Sequence, residues 1–545
     1  MKGGASKTVA AATQATARSR PGKDEPGAAN GSHNNSKKEE GQVLGRFKNT
    51  KQEVSMGPIA NVLAGTVMLA LHGWFLAFLQ SEYEAVQLKE GHKIKDYVAM
   101  WSPIFIGSII LEVAWSWYKG SSVYRTNDSV SSMSLGIYSM LFKHLWVGVV
   151  TFTPYTYVYQ NFALTRRFED GGMLAWWLMF VCVELGYYWY HRTGHTVHAF
   201  WAMHSVHHSS EEYNLSTALR QSTLTSFISW LYYVPWALFF PPSLFYIHSQ
   251  FNLLYQFWIH TAAVGKLGPL EWILNTPSQH RVHHGKNEYC IDKNYGGTLC
   301  IFDRLFGTFQ EELDEVPIAY GTIHPINTWD PIESNIHPWR AIFANIRKVK
   351  GFKNKLLCLF NGPGWIPGSQ PHAEYPIPPC STDAMVKYNP ALSARAQWYI
   401  GVHCLLTVII FNMALIAESA MPYDWFFLFN GFVVWSLYNL GAISNRKAWA
   451  LLMEITRIIV AIPLGCWTVA LYFSSFVAEV ELFLVMSHPL CVATYGIVAV
   501  SALLLLSCRE ELKVAVQEHE LGDMDLVQAE KDQALQLQLL HAKRD

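Results

Sequence analysis

The chain has 545 residues, 51% of them apolar and only 15% charged, against roughly 25% charged in an ordinary soluble domain, so a soluble protein of this size is excluded. Lys and Arg number 41 against 42 Asp and Glu, which leaves no overall basic field to recommend a nucleic acid as partner. The nine cysteines form no CxxC pair and lie mostly inside apolar runs, a pattern of reduced, packed thiols and not of a secreted disulfide framework.

In chain order, residues 1–55 are small, polar and net basic with no apolar period, and read as a disordered tail. Residues 57–80 then carry no charge at all, and 99–118 and 171–190 are apolar runs interrupted only by Glu112 and Glu184; each is long enough to span a bilayer. A weaker span is expected over 133–160, where Lys143 and His144 intrude. Two apolar halves, 223–240 and 243–260, are joined by Pro241 and Pro242, which predicts a hairpin returning to the side it left. A second hydrophobic block holds runs at 396–417, 425–443, 458–478 and 482–508, and residues 509–545 form an acidic tail. The expected fold class is all-α: a multi-pass membrane helical bundle over 56–395 and 396–508, with a histidine-rich di-metal cap. Loop 444–457 holds Arg446, Lys447 and Arg457 while the turns at 418–424 and 479–481 hold no Lys or Arg, so the positive-inside rule puts that loop in the cytosol. If the basic tail is cytosolic and the first four candidates all cross, residue 191 emerges on the cytosolic face as well.

Histidine carries the chemistry. Eleven of the 22 histidines fall between residues 191 and 284, where an even spread would place about four. The apolar run 171–190 leads into His191 and His195, an HxxxH on one helical face. His204, His207 and His208 form an HxxHH, and His280, His283 and His284 form another. About 0.04 chance matches to HxxHH are expected at this composition. A triplet at i, i+3 and i+4 puts two imidazoles on one stripe and a third about 100° around the helix, a geometry suited to two neighbouring metals. Eight histidines exceed what one tetrahedral metal takes. His260, at the end of the hairpin's second half, is the candidate ninth ligand, and His198 lies beyond His195 on the same face. Imidazole suits iron, zinc, copper and nickel alike. Glu184, two turns before His191, is the candidate catalytic acid, as partner of a ligand imidazole or as proton relay; packing against a neighbouring Tyr or Trp is its bland reading.

At these residues the sequence resembles the fatty acid hydroxylase family, membrane di-iron enzymes whose signature is HxxxH, HxxHH and HxxHH. The longer words ELGYYWYHRTGH (184–195), HSVHHSSEEYNLSTALRQS (204–222), FNLLYQFWIHT (251–261) and NTPSQHRVHHGKNEYCIDKNYGG (275–297) are similar to its ether-lipid hydroxylase branch. Thr196 stands where that branch is expected to carry an acidic residue. The resemblance implies two Fe(2+) ions on the eight box histidines and tetrahydrobiopterin as electron donor. It also implies alkylglycerols drawn from the bilayer as substrate, hydroxylated at the ether-bearing carbon to a hemiacetal that breaks down to fatty aldehyde and glycerol. Its expected place is the endoplasmic reticulum membrane, with the site facing the cytosol. Two other readings compete: a sterol or fatty-acyl hydroxylase or desaturase fed by a haem protein, and a membrane metal transporter. The transporter would place its ligands near the midplane and in repeated halves, whereas these motifs sit at helix ends and the second hydrophobic block repeats none of them.

Overall fold

The structure is a computed structural model that describes residues 56–87, 95–121, 123–147, 153–365, 387–417 and 423–460, with Pro367, Val500, Leu503 and Leu505. The N-terminal tail, most of the apolar runs beyond residue 460 and the acidic C-terminal tail lie outside the described residues. Among those residues there is no β-strand, only isolated bridges at Leu274 with Leu299 and Gly285 with Tyr320. The named helices of eight or more residues are α1 (Pro58–Gln87), α2 (Tyr97–Tyr118), α3 (Thr126–Val147), α4 (Thr153–Phe162), α5 (Met173–Thr196), α6 (His198–His208), α7 (Pro242–Ile259), α8 (Pro277–His284), α9 (Pro331–Lys348), α10 (Phe352–Phe360), α11 (Ala394–Ala417) and α12 (Tyr423–Ser444), and residues 450–460 are helical as well.

Four helical stretches among the described residues are long and apolar enough to cross a membrane: Ile59–Tyr83, Tyr97–Tyr118, Ala394–Asn412 and Phe426–Ser444. Their outward faces are apolar, with Leu63, Trp74, Leu111 and Trp398 exposed, as a lipid-facing surface requires. Two apolar cores hold the helices together. The first joins α1, α2, α4, α5 and α7 through Phe75, Leu79, Trp176, Met179, Leu244 and Phe251, and the second joins α3, α11 and α12 through Leu141, Ile400, Phe411, Val433 and Leu437.

Three expected crossings are built differently. Of the stretch 133–160, the described residues are helical in α3 up to Val147 and again in α4, with Pro154 in the first turn of α4, and residues 148–152 lie outside the described residues. α3 instead starts early and polar, and its Ser132 Oγ accepts from Arg220 while its Ser139 Oγ donates to the Ser222 carbonyl. The half 223–240 is a series of short turns, Ser226–Ser229, Trp230–Tyr232 and Val234–Leu238, with Pro235 inside the last. Pro241 and Pro242 open α7 rather than closing a hairpin. α5 forms as expected but lies against the first core, and it is not among the four spanning stretches.

The ends of the spanning helices gather on one side. Near the start of α1, Met56 N donates to the Ala263 carbonyl (3.0 Å), and Asn61 accepts from Gly265 N (3.2 Å). Glu112, in the last turns of α2, accepts from Thr261 Oγ1 and from Leu215 N. Arg125, just past α2, donates to the Tyr388 carbonyl ahead of α11, and Tyr388 Oη donates to Asn445 just past α12. α12 also meets the cap closely: a Cβ at Gly441 would lie 2.6 Å from the Trp329 carbonyl oxygen, whereas one at Gly431 meets nothing within 4 Å. Gly441→Ala should therefore lose about 1–3 kcal/mol through overpacking and Gly431→Ala should be neutral or gain up to about 1 kcal/mol. Melting temperatures of the two full-length variants in detergent, ordered Gly431→Ala above Gly441→Ala, check this.

Candidate metal centre

Each histidine box is delivered by a helix end. α5 carries its apolar period out to His191 and His195 and stops at Val197, whose extended backbone turns the chain into α6 with His204, His207 and His208. α7 ends at Ile259, so His260 sits in the C-cap position just beyond it. Pro277 occupies the first turn of α8, where its missing N–H costs nothing, and one turn later the helix offers His280, His283 and His284. Helix periodicity then sorts the rings. His191, His195, His204, His208 and His283 offer ring nitrogens within 4.8 Å of one another, and His207, His260, His280 and His284 do the same. All nine are buried.

The distances inside each group have a regular size. In the five-membered group the Nε2 atoms of His191 and His204 are 3.0 Å apart, those of His204 and His208 3.1 Å, and those of His208 and His283 3.1 Å. In the four-membered group, His260 Nε2 lies 3.0 Å from that of His280, 3.2 Å from His284 and 3.3 Å from His207. A divalent metal at about 2.1 Å, the distance zinc keeps to imidazole, sets neighbouring donors about 3.0 Å apart at right angles and about 3.4 Å apart in a tetrahedron. The observed edges match that spacing.

A proton cannot explain the approach of His207 and His260. His207 Nδ1 donates to the Arg220 carbonyl (2.8 Å) and His260 Nδ1 to the Gln256 carbonyl (2.7 Å), so in the neutral rings both Nε2 atoms are lone pairs, yet they face each other. His191 Nδ1 donates to the Tyr295 carbonyl (2.9 Å) and His283 Nδ1 to the Lys293 carbonyl (2.8 Å), which fixes the same tautomer there. His195 Nε2 is buried with no partner. Burial, reinforced by neighbouring imidazoles, holds His204, His208, His280, His283 and His284 well below their ordinary range and brings His207 down to about 4. At neutral pH these six rings are uncharged donors. Convergent neutral nitrogens, with the Nδ1–H groups of His191, His207, His260 and His283 already committed to carbonyls, are what a cation would satisfy.

One short loop, 292–295, wires three of the five rings in the first group. It supplies the carbonyls of Lys293 and Tyr295, and Asp292 Oδ1 lies 3.6 Å from His195 Nδ1. Asp292 and Asn294 both adopt left-handed backbone, with φ of 57° and 56°. Asn294 is anchored by its side chain, donating to the Gln279 and Gln310 carbonyls and accepting from Gln310 N. Asp303 accepts from Tyr295 N, Gly296 N and Thr308 Oγ1. On the other group, Arg281 pairs with both oxygens of buried Glu312 (3.0 and 2.9 Å) and donates to the Thr261 and Val264 carbonyls, tying α8 to the loop that follows His260.

Glu184, expected to bond an imidazole or relay a proton, is placed otherwise. Its oxygens accept from Asn252 Nδ2 (2.7 Å), Thr298 N (2.8 Å) and Leu299 N (3.0 Å), which clamps α5 to α7 and to the chain that follows the loop. His198 points out of the cluster, with Nδ1 on the Cys358 carbonyl at 3.0 Å, and Thr196 Oγ1 donates back to the Arg192 carbonyl. The motifs gave no sign of Asp292, Asn294 or Asp303, although the run CIDKNYGG, with its Asp, Asn and Gly, carries a turn signal.

The family model for fatty acid hydroxylases matches residues 176–308, the interval from α5 through the strapping loop. The chain is 40% identical over 413 residues to a protein named alkylglycerol monooxygenase from Xenopus tropicalis, covering 76% of this chain and 91% of that one. It is 38% identical over 386 residues to the alkylglycerol monooxygenase of Homo sapiens, covering 71% and 86%. The chain belongs to the alkylglycerol monooxygenase family. It is an enzyme and a multi-pass membrane protein. No solved structure matches it. The family's match thus falls on the helices and loop that assemble both histidine groups, and not on the second hydrophobic block alone.

Asn294 separates backbone from side-chain effects. Asn294→Gly keeps the left-handed φ but loses the side-chain bonds, at about 1–3 kcal/mol for each buried group left unpaired, whereas Asn294→Ala adds a left-handed penalty of about 1–2 kcal/mol. Thermal unfolding should rank wild type above Gly and Gly above Ala.

Proposed function

We propose that this protein is a di-iron monooxygenase of the membrane. One ion would be held by His191, His195, His204, His208 and His283, and the other by His207, His260, His280 and His284. The observation that carries this is the meeting of His207 and His260, two lone pairs at 3.3 Å with both Nδ1–H groups occupied elsewhere. All-imidazole donors suit iron without excluding zinc or copper, and the fatty acid hydroxylase match favours iron.

The substrate reading is a 1-O-alkylglycerol, supported by the names of the relatives. When bound, the irons would supply oxygen activation and a reduced tetrahydrobiopterin the two electrons, so that one oxygen atom enters the C–H bond beside the ether oxygen and the other leaves as water. The resulting hemiacetal breaks down to fatty aldehyde and glycerol without a dedicated nucleophile. The chain's own residues hold the rings in one tautomer through the 292–295 carbonyls and keep the donors dry and neutral. They also set the site beside the ends of α1 and α2, where an amphiphile presents its head with its tail in the bilayer. Arg446 and Lys447 lie on the same side as those ends, which supports a cytosolic face by the positive-inside rule. The endoplasmic reticulum is the expected membrane.

His207→Ala and His283→Ala each remove one donor from a different group. Both variants should still reach the membrane, and each should lose metal and more than about 100-fold in turnover. Metal analysis with an ether-lipid cleavage assay measures both, and full activity in either variant removes that histidine from the ligand set. Aldehyde release by the purified enzyme should require added reduced pterin, with a haem-protein donor giving none. The reverse result moves the reading to an acyl or sterol hydroxylase.

A further inference from the structure

The histidine chemistry leaves α9 and α10 unexplained. α10 is a short amphipathic helix whose apolar residues Phe352, Leu356 and Phe360 recur every four positions and therefore share one face. That face is uncovered, with Phe352 78% and Phe360 60% exposed. α9 repeats the design, with Ile332, Ile336 and Phe343 exposed along one stripe. Beyond Glu333 in the first turn of α9, charge around these stripes has one sign. From residue 334 to residue 373 there is no Asp or Glu, while Arg340, Arg347, Lys348, Lys350, Lys353 and Lys355 all fall inside that interval. The last five are exposed, and among the described residues none of those five forms an ion pair.

Position supplies the second argument. α9 begins where α12 ends: Trp329 N donates to Asn445 Oδ1 (2.9 Å), and the Trp329 carbonyl is the backbone that abuts Gly441. α12 contains a membrane-crossing stretch that ends at Ser444, followed at once by Arg446 and Lys447. The exposed apolar stripes thus start at the level where a spanning helix leaves the bilayer. Aqueous solvent would leave them unpaid, whereas a headgroup boundary takes both an apolar face and flanking lysines, whose stems reach into the acyl region while the ammonium groups stay at the phosphates.

We propose that α9 and α10 form a docking surface for anionic phospholipid. Phe352, Leu356 and Phe360 enter the acyl boundary, and Lys350, Lys353 and Lys355 lie on the phosphates. The surface is joined to the catalytic cap directly, because His198, the first residue of α6, donates its backbone N–H to the Asn361 carbonyl (2.9 Å) and its Nδ1 contacts the Cys358 carbonyl. The carbonyls at the end of α10, which a helix leaves without internal partners, therefore hold the start of the helix that bears His204, His207 and His208.

The test uses the full chain in lipid nanodiscs, with the photo-crosslinking residue p-benzoylphenylalanine placed at position 352, 356 or 360, or at 354 as the control on another face. Mass spectrometry after illumination should find phospholipid adducts at 352, 356 and 360 in severalfold excess over 354. That yield should drop severalfold when phosphatidylserine is replaced by phosphatidylcholine, or when Lys350→Gln, Lys353→Gln and Lys355→Gln are combined. Adducts to another segment of the chain or to a second copy overturn the proposal. So do equal yields at all four positions, or yields indifferent to lipid charge and to the three lysines.

Discussion

The structure depends on one electrostatic constraint: nine buried imidazoles turn their ring nitrogens on one another in two groups. A buried polar atom without a partner costs about 1–3 kcal/mol, and lone pairs brought within 3.3 Å add repulsion to lost solvation. Between His207 and His260 no proton relieves this, because both Nδ1–H groups are spent on the carbonyls of Arg220 and Gln256. Among the described residues no carboxylate or thiol stands within either group, and the carbonyls of Lys293 and Tyr295 hold the Nδ1 protons of His283 and His191 in the same way. A cation shared among the rings of each group is the partner that this donor set fits.

Holding that arrangement is the work of the membrane helices and of buried carboxylates. Three glutamates act in the same way. Glu112 binds Thr261, next to His260; Glu184 binds Thr298 and Leu299, just past the loop that fixes His191 and His283; Glu271 accepts from Leu267 N, Thr276 and Ser278 at the entry to α8. Each accepts backbone or hydroxyl hydrogen bonds from a segment that lies beside a ring-bearing one. Acids close to the membrane are functional candidates by default, but here Glu184 and Glu112 serve the geometry of the histidines without touching them.

Much of this was legible in the sequence, and the boundary has a physical origin. Spacings of three and four residues report a helical face, so the three boxes, and His260 at the end of an apolar run, could be read directly. How the rings divide could not. His207 and His208 are neighbours in sequence yet belong to different groups, because a step of one residue turns the side chain about 100° around α6. The loop 292–295 was invisible for the converse reason: it acts mainly through carbonyls, which every residue has, and its direction is set by left-handed backbone at Asp292 and Asn294. In the stretch 133–160 hydropathy did not report Pro154 or the serines that turn α3 toward Arg220.

The same logic explains why the site lies where the chain changes solvent. A helix at membrane depth satisfies its own backbone except in its last turn, and there polar side chains and carbonyls must find partners. Placing the boxes at helix ends turns that need into an asset, because the carbonyls of Arg220, Gln256, Lys293 and Tyr295, in loops or at a helix end, become the acceptors that orient the rings. Had the histidines stood mid-helix, each Nδ1–H would have competed for carbonyls already used within the helix, and neither tautomer nor ring direction would be fixed. The helix-end position also sets the polar straps beside the first apolar core, since Glu184 of α5 and Asn252 of α7 bond each other on the two helices that carry Met179 and Phe251.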